Sequence, residues 1–183
     1  LVHPGRRVNW YGDDAQRQRA TALLNALLGN WGRKGGLYLQ AGMKVAGYPF
    51  PKFPEAGKPK VDNVDERWPF ADEEVTTGLR EATITGKPYP IKGWVVYASN
   101  LIQTLPNEKE TIEAINKLDL LVVVETHPSE IAGYADVILP DTSFIERHDD
   151  FYVGWGRQGW TALRQPAVAP PGEQKPAWWI AKE

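Results

Sequence analysis

The stretch Gly93–Pro140, GWVVYASNLIQTLPNEKETIEAINKLDLLVVVETHPSEIAGYADVILP, decides the fold. WVVYA (94–98) is a continuous apolar, β-branched run of strand length, the pattern of a strand buried on both faces. SNLIQTLPN follows as a polar loop, and the spacing then predicts a helix over 108–118. Asn107 is placed to cap that helix, with Glu110 three residues on to complete a capping box. LLVVVE (120–125) reads as a second buried strand, 129–134 as a short helical turn, and DVILP (136–140) as a third strand. Strand, helix, strand, helix, strand at this spacing requires parallel pairing through crossovers. The expected class is therefore α/β, a doubly wound, mostly parallel, Rossmann-like sheet.

Working outward, GWTALRQ (159–165) could add a further strand, so the Rossmann-like region is expected over 93–165. Residues 166–183 then form a proline-rich linker and a helix opening at Pro176, whose sequence runs to Glu183 without a stop signal and reads as a helix cut short. Towards the amino end, residues 1–92 hold an amino-terminal helix, a glycine turn and a long irregular connection, expected as part of a larger domain. RVNWY (7–11) reads as a short strand. A helix from Asp13 or Asp14 to about Leu28 follows, with Ala20, Leu23, Leu24, Leu27 and Leu28 at helical spacing and Gly29 as its carboxyl cap. GNWGRKGG (29–36) lacks both the GxGxxG fingerprint and the phosphate-loop ending, so on pattern alone it is a helix stop and a tight turn. The connection over about 40–69 is punctuated by prolines, and a short helix is expected near 72–80.

The composition is that of an ordinary globular chain, 42% apolar and 24% charged over 183 residues. A net charge of −2 supplies no electrostatic reason to bind nucleic acid. With no cysteine, these residues can supply no disulfide, no thiolate nucleophile and no cysteine-held cluster. His3, His127 and His148 lie too far apart in sequence to suggest a metal site, and no catalytic residue or metal ligand can be assigned.

Open parallel sheets bind their ligands at the carboxyl ends of the strands. Three segments here end at that edge: Ser99, Asn100, Gln103 and Thr104 after the first strand; Glu125, Thr126, His127 and Ser129 after the second; Asp141, Thr142 and Ser143 after the third. Each supplies hydroxyl, amide or carboxylate groups suited to a ribose and a nucleobase. Glu125, at the end of the second strand, is placed to accept from sugar hydroxyls or a base amino group. Taken singly, these residues could equally be turn formers and caps; the signal is the agreement of three strand ends.

In collinear order, WYGDDAQRQRATALLNALLGNWGRKGG, VVYASNLIQTLPN and LDLLVVVETHPSEIAGYADVILPDTSFIERHD resemble the helix and glycine turn, the Y-G-S-N-P loop and the T-E-T-A-x-x-A-D-V-V-L-P stretch of the molybdopterin oxidoreductase (dimethyl sulfoxide reductase) superfamily. TTGLREATITGKPYPIKG and TALRQPAVAPPGEQKPAWWIAKE look most like its polysulfide and thiosulfate reductase branch. The resemblance implies part of a catalytic subunit holding molybdenum between two molybdopterin guanine dinucleotides. A 4Fe-4S cluster would be held by an amino-terminal part outside these residues. It also implies a membrane anchor and an iron–sulfur electron-transfer subunit as partners, and a periplasmic or other extracytoplasmic location. By position Asn100, Thr104 and Glu125 match the family's cofactor contacts, with Ser99, Ser129 and Asp141 as neighbours. Leu101 stands where the family has proline, and Ser129-Glu130-Ile131 replaces Thr-Glu-Thr with the loss of one hydroxyl. With the cysteine ligands elsewhere, these 183 residues alone are expected to be inactive. A cofactor-free structural relative, such as the large subunit of respiratory NADH dehydrogenase, is the second reading; it would have no need of polar groups at Asn100, Thr104 and Glu125.

Overall fold

The computed structural model describes residues 2–3, 5, 14–38, 43–47, 49, 52, 54, 59–62, 75–149, 151–154 and 156–183. The strand expected over 7–11 and most of the proline-rich connection lie outside the described residues. The chain divides into two compact units, Leu1–Tyr48 with Asp150–Arg164, and Pro49–Asp149 with Gln165–Glu183.

In the second unit, strands β1 (Gly93–Tyr97), β2 (Leu120–Glu125) and β3 (Val137–Pro140) form a parallel sheet in the order β1-β2-β3. The register pairs Val95 with Val122, Tyr97 with Val124, and Glu125 with Pro140. This is the α/β fold that the strand–helix–strand spacing requires. Alternation along β1 and β2 sends Trp94, Val96, Leu121 and Val123 to one face, where they pack with Ala114, Ile115, Ile131 and Ala132 into the core. Those partners come from helix Glu108–Ile115 and a 3-10 turn, Glu130–Tyr134. Both connections therefore pack on that face. Opposite, Val95, Tyr97 and Leu120 are exposed.

Three local expectations need correction. The loop after β1 contains a helical turn, Leu101–Thr104, which buries Ile102. The helix expected near 72–80 runs instead over Thr76–Thr85 and closes on left-handed Gly86. Its entry is held from a distance: the Val75 N–H donates to Asp62 Oδ2 at 2.7 Å. Asn107 adopts a left-handed backbone and makes no side-chain cap, so the capping box does not form. Glu110 instead accepts from buried Arg80 at 2.7 Å, whose guanidinium also donates to the carbonyls of Pro106 and Asn107 and, at 3.2 Å, to Thr111 Oγ1. A buried cation outcompetes a local cap because leaving it unpaired costs more than the cap contributes. With those elements placed, the helices of the described residues are, in chain order, α1 (Asp14–Leu27), α2 (Thr76–Thr85), α3 (Leu101–Thr104), α4 (Glu108–Ile115) and α5 (Ala177–Lys182).

In the first unit, α1 has the expected span, but its buried residue is polar. Asn25 exchanges hydrogen bonds with both backbone groups of Val2 (3.0 and 2.8 Å) and accepts from Asn30, while Leu27 is 86% exposed. Gly29 follows with φ 61°, in the expected carboxyl-cap position. The strand anticipated at 159–165 does form, as Trp160–Leu163 (β5), but it pairs antiparallel with Phe151–Gly154 (β4) and does not extend the parallel sheet. A short hairpin closes at little entropic cost. Gly154 admits the Trp160 indole so closely that a Cβ there would lie 1.9 Å from the ring. Among the described residues no helix is long and apolar enough to cross a membrane.

Candidate functional site

The strands deliver their carboxyl ends in step. Ala98 N–H continues the β1–β2 ladder to the Val124 carbonyl at 3.0 Å, and Asp141 N–H continues β2–β3 to Glu125 at 3.0 Å. The segments starting at Ala98, Thr126 and Asp141 therefore leave from one edge.

Ala98 turns the first of them with φ 50°, a left-handed conformation that costs a Cβ-bearing residue about 1 kcal/mol. The Asn100 carbonyl then accepts from the Gln103 and Thr104 N–H groups at 3.0 and 2.9 Å, winding α3. Its side-chain Nδ2 donates to Glu130 Oε2, and Gln103 Nε2 donates to Glu130 Oε1 at 3.2 Å. The first and second strand ends are thus tied through one carboxylate. Asn100 Oδ1 and the neighbouring Ser129 Oγ are buried and have no partner among the described residues.

Glu125, half-buried, folds back on its own turn: Oε1 accepts from the Thr126 N–H at 2.9 Å and from its hydroxyl at 3.4 Å. The Thr126 hydroxyl also meets His127 Nδ1 at 3.0 Å.

At the third strand end Asp141 is 4% exposed. Oδ1 accepts from the N–H groups of Thr142 (2.8 Å) and Ala177 (2.9 Å), and Oδ2 accepts from Arg147 Nη1 at 2.8 Å. Arg147 also donates to the Thr142 carbonyl (2.8 Å) and to Asp149 (2.7 Å). Burial works to lower the Arg147 pKa, but its hydrogen bonds to Asp141 and Asp149, with their charges, raise it above the ordinary value. The adjacent Thr142 Oγ1 and Ser143 Oγ are buried without a partner among the described residues, as is Gln174 Oε1.

Of the six residues singled out in the sequence, the structure joins Asn100 to the segment carrying Ser129 through Glu130. Ser99 lines a mainly apolar groove beside β1 with Tyr89, Ile91 and Trp94, and Thr104 is exposed at the end of α3. No hydrogen bond among the described residues links Asn100, Thr104 and Glu125 directly to one another. Asp141 is engaged internally, and the free hydroxyls are those of the next two residues, Thr142 and Ser143. Glu130 falls on the glutamate of the Thr-Glu-Thr stretch in the resemblance, but its contact with Asn100 appears only once the two strand ends are adjacent. Among the described residues no group of three His, Asp or Glu side chains could hold a metal ion.

A parallel sheet whose strand-end edge carries buried polar atoms without a partner among the described residues has the layout on which open α/β sheets bind ligands. The chain belongs to the molybdopterin oxidoreductase family, whose model matches residues 1–183. It is 33% identical to the thiosulfate reductase molybdopterin-containing subunit PhsA of Salmonella typhimurium, an alignment covering 100% of this chain and 26% of that protein. It is 28% identical to the dimethyl sulfoxide reductase DmsA of Escherichia coli, over 90% of this chain and 21% of the relative. Acetylene hydratase from Pelobacter acetylenicus superposes over 57% of the chain and 14% of its own, at TM-score 0.48 and 30% identity. The chain thus spans only 26% and 21% of the length of these two curated relatives. The family consists of molybdopterin-dependent oxidoreductases and implies a molybdenum–pterin cofactor. The residues present fit the polar part of such a group: Asn100 Oδ1 and the Ser129, Thr142 and Ser143 hydroxyls are the orphaned atoms a ligand would satisfy.

Proposed function

We infer that the chain grips the guanosine end of a molybdenum bis(molybdopterin guanine dinucleotide) cofactor within a larger catalytic subunit that reduces an inorganic sulfur compound, polysulfide or thiosulfate. The observation carrying this reading is the set of buried polar atoms at the strand ends that have no partner among the described residues: Asn100 Oδ1, Ser129 Oγ, Thr142 Oγ1 and Ser143 Oγ. Each such atom, left unsatisfied, costs about 1–3 kcal/mol, and a ribose and base return that stabilisation on binding. The molybdenum centre, when bound, would supply the redox chemistry. This chain's residues would bind and orient the nucleotide, with Glu125 and Thr104 flanking it as exposed or half-buried polar groups. The sulfur-compound assignment is supported by the likeness, along the whole chain, to a molybdopterin-containing thiosulfate reductase. In such an enzyme a membrane anchor and an iron–sulfur protein would be the partners, on the extracytoplasmic side, with a 4Fe-4S cluster held elsewhere in the catalytic subunit.

The test is the nucleotide released by acid from protein purified out of a cofactor-producing host. Stoichiometric GMP, diminished by Asn100→Leu combined with Ser129→Ala, is expected. Release of a different nucleotide, or GMP release unchanged by those substitutions, would contradict the reading.

A further inference from the structure

Glu130 is the acceptor of both amides at the first strand end, and a carboxylate can only accept. That property dictates how Asn100 stands. Only its Nδ2 can face Glu130, so its Oδ1 must face away, and it does so buried and unpartnered among the described residues. A side chain at this position that could donate would permit the opposite orientation, with the amide nitrogen turned outward.

We propose that Glu130 is a positioning residue that sets the hydrogen-bond polarity of the nucleotide site: by holding the Asn100 amide nitrogen, it presents Asn100 Oδ1 as an acceptor for a donor group of the ligand, a ribose hydroxyl or the N–H edge of the base. The inference rests on the nucleotide reading above and adds to it a residue that touches no ligand itself. Gln103, held by the second carboxylate oxygen, keeps Glu130 in place and ties α3 to the 3-10 turn. Hydrogen bonds to a charged acceptor are stronger than neutral ones, so the orientation is favoured even where solvent reaches Glu130.

The experiment measures the affinity of the full chain for GMP, by calorimetry or NMR titration, in three proteins with thermal melting recorded alongside. Glu130→Gln keeps shape but lets the introduced amide donate to Asn100 Oδ1; it is expected to weaken GMP binding roughly tenfold with little change in melting. The double variant Asn100→Asp with Glu130→Gln exchanges donor and acceptor, so the new amide donates to the new carboxylate and an acceptor again faces the ligand. It is expected to recover most of the lost affinity. A residue acting only as a staple would follow melting temperature and would show no recovery from exchanged polarity.

Equal GMP affinity in wild type and Glu130→Gln, or no recovery in the exchanged pair, overturns the proposal while leaving the nucleotide reading standing. Absence of GMP binding by the wild type overturns both. Should the variants not fold, the wild type still decides: the Asn100 side-chain amide protons should be shifted downfield by the carboxylate and stay there when GMP is added. Movement of those protons to bulk-like positions on GMP addition overturns the proposal.

Discussion

Asn100 and Asp141 each stand just beyond the end of a parallel strand, and in sequence both are candidate binding residues. The structure separates them. Asp141 accepts three hydrogen bonds from Thr142, Ala177 and Arg147 and is closed off from solvent; Asn100 gives its amide nitrogen to Glu130 and keeps its oxygen uncommitted. One residue clasps the carboxyl-terminal segment to the sheet, and the other offers a hydrogen bond outward. What marks a binding group at such an edge is the capacity left over after internal bonds are counted.

The harshest way to break that comparison is Asp141→Ala. It takes from Arg147 one of its two carboxylate partners, leaving Asp149, and deprives the Ala177 N–H of its acceptor, and should cost on the order of 2 kcal/mol of stability, read by denaturant unfolding. A change below about 0.5 kcal/mol would make Asp141 a surface residue in effect. The raised pKa of Arg147 gives this clasp a definite pH signature. A cation whose folded-state pKa exceeds its unfolded value contributes its full stabilisation below the unfolded value and loses it only as pH rises through the folded one. As far as this guanidinium is concerned, the clasp should hold at every pH below the ordinary arginine range, and melting in alkaline buffers checks this.

Thr142→Val should act in the opposite sense. The hydroxyl is buried (residue 1% exposed) and has no partner among the described residues, so replacing it by a methyl should stabilise the ligand-free chain by about 1 kcal/mol while weakening GMP binding. Destabilisation with unchanged binding would show that the hydroxyl is satisfied internally. A smaller effect is expected from Ala98→Gly. Relief of the left-handed backbone at φ 50° outweighs the extra freedom of glycine in the unfolded chain, for a gain of about 0.5 kcal/mol by thermal melting. A loss there would mean that the turn into α3 is not under strain.

How much of this was legible in advance depended on range. The three strands could be read because parallel strands buried in a core are near-continuous apolar runs, as WVVYA and LLVVVE are. The edge could be read because parallel topology forces all three strand ends to the same side. The α3 turn leaves no signal in the sequence because four residues carry no helical period. The entry of α2 depends on Asp62 and the fate of Glu110 on Arg80, both distant in sequence, so local pattern misplaces the helix and suggests a capping box that does not form. Asp141 and Glu130 teach the same point within the site. Polarity and position were visible, whereas the partners that use up or orient each group were not.

Titrating the isotopically labelled full chain with GMP and mapping backbone amide shifts tests directly where a guanosine group sits. Perturbations should concentrate at 98–104, 125–130 and 141–143, the segments leaving the carboxyl ends of the strands. Perturbations at the opposite edge, around Lys92, Asp119 and Asp136, or none at all, would contradict it.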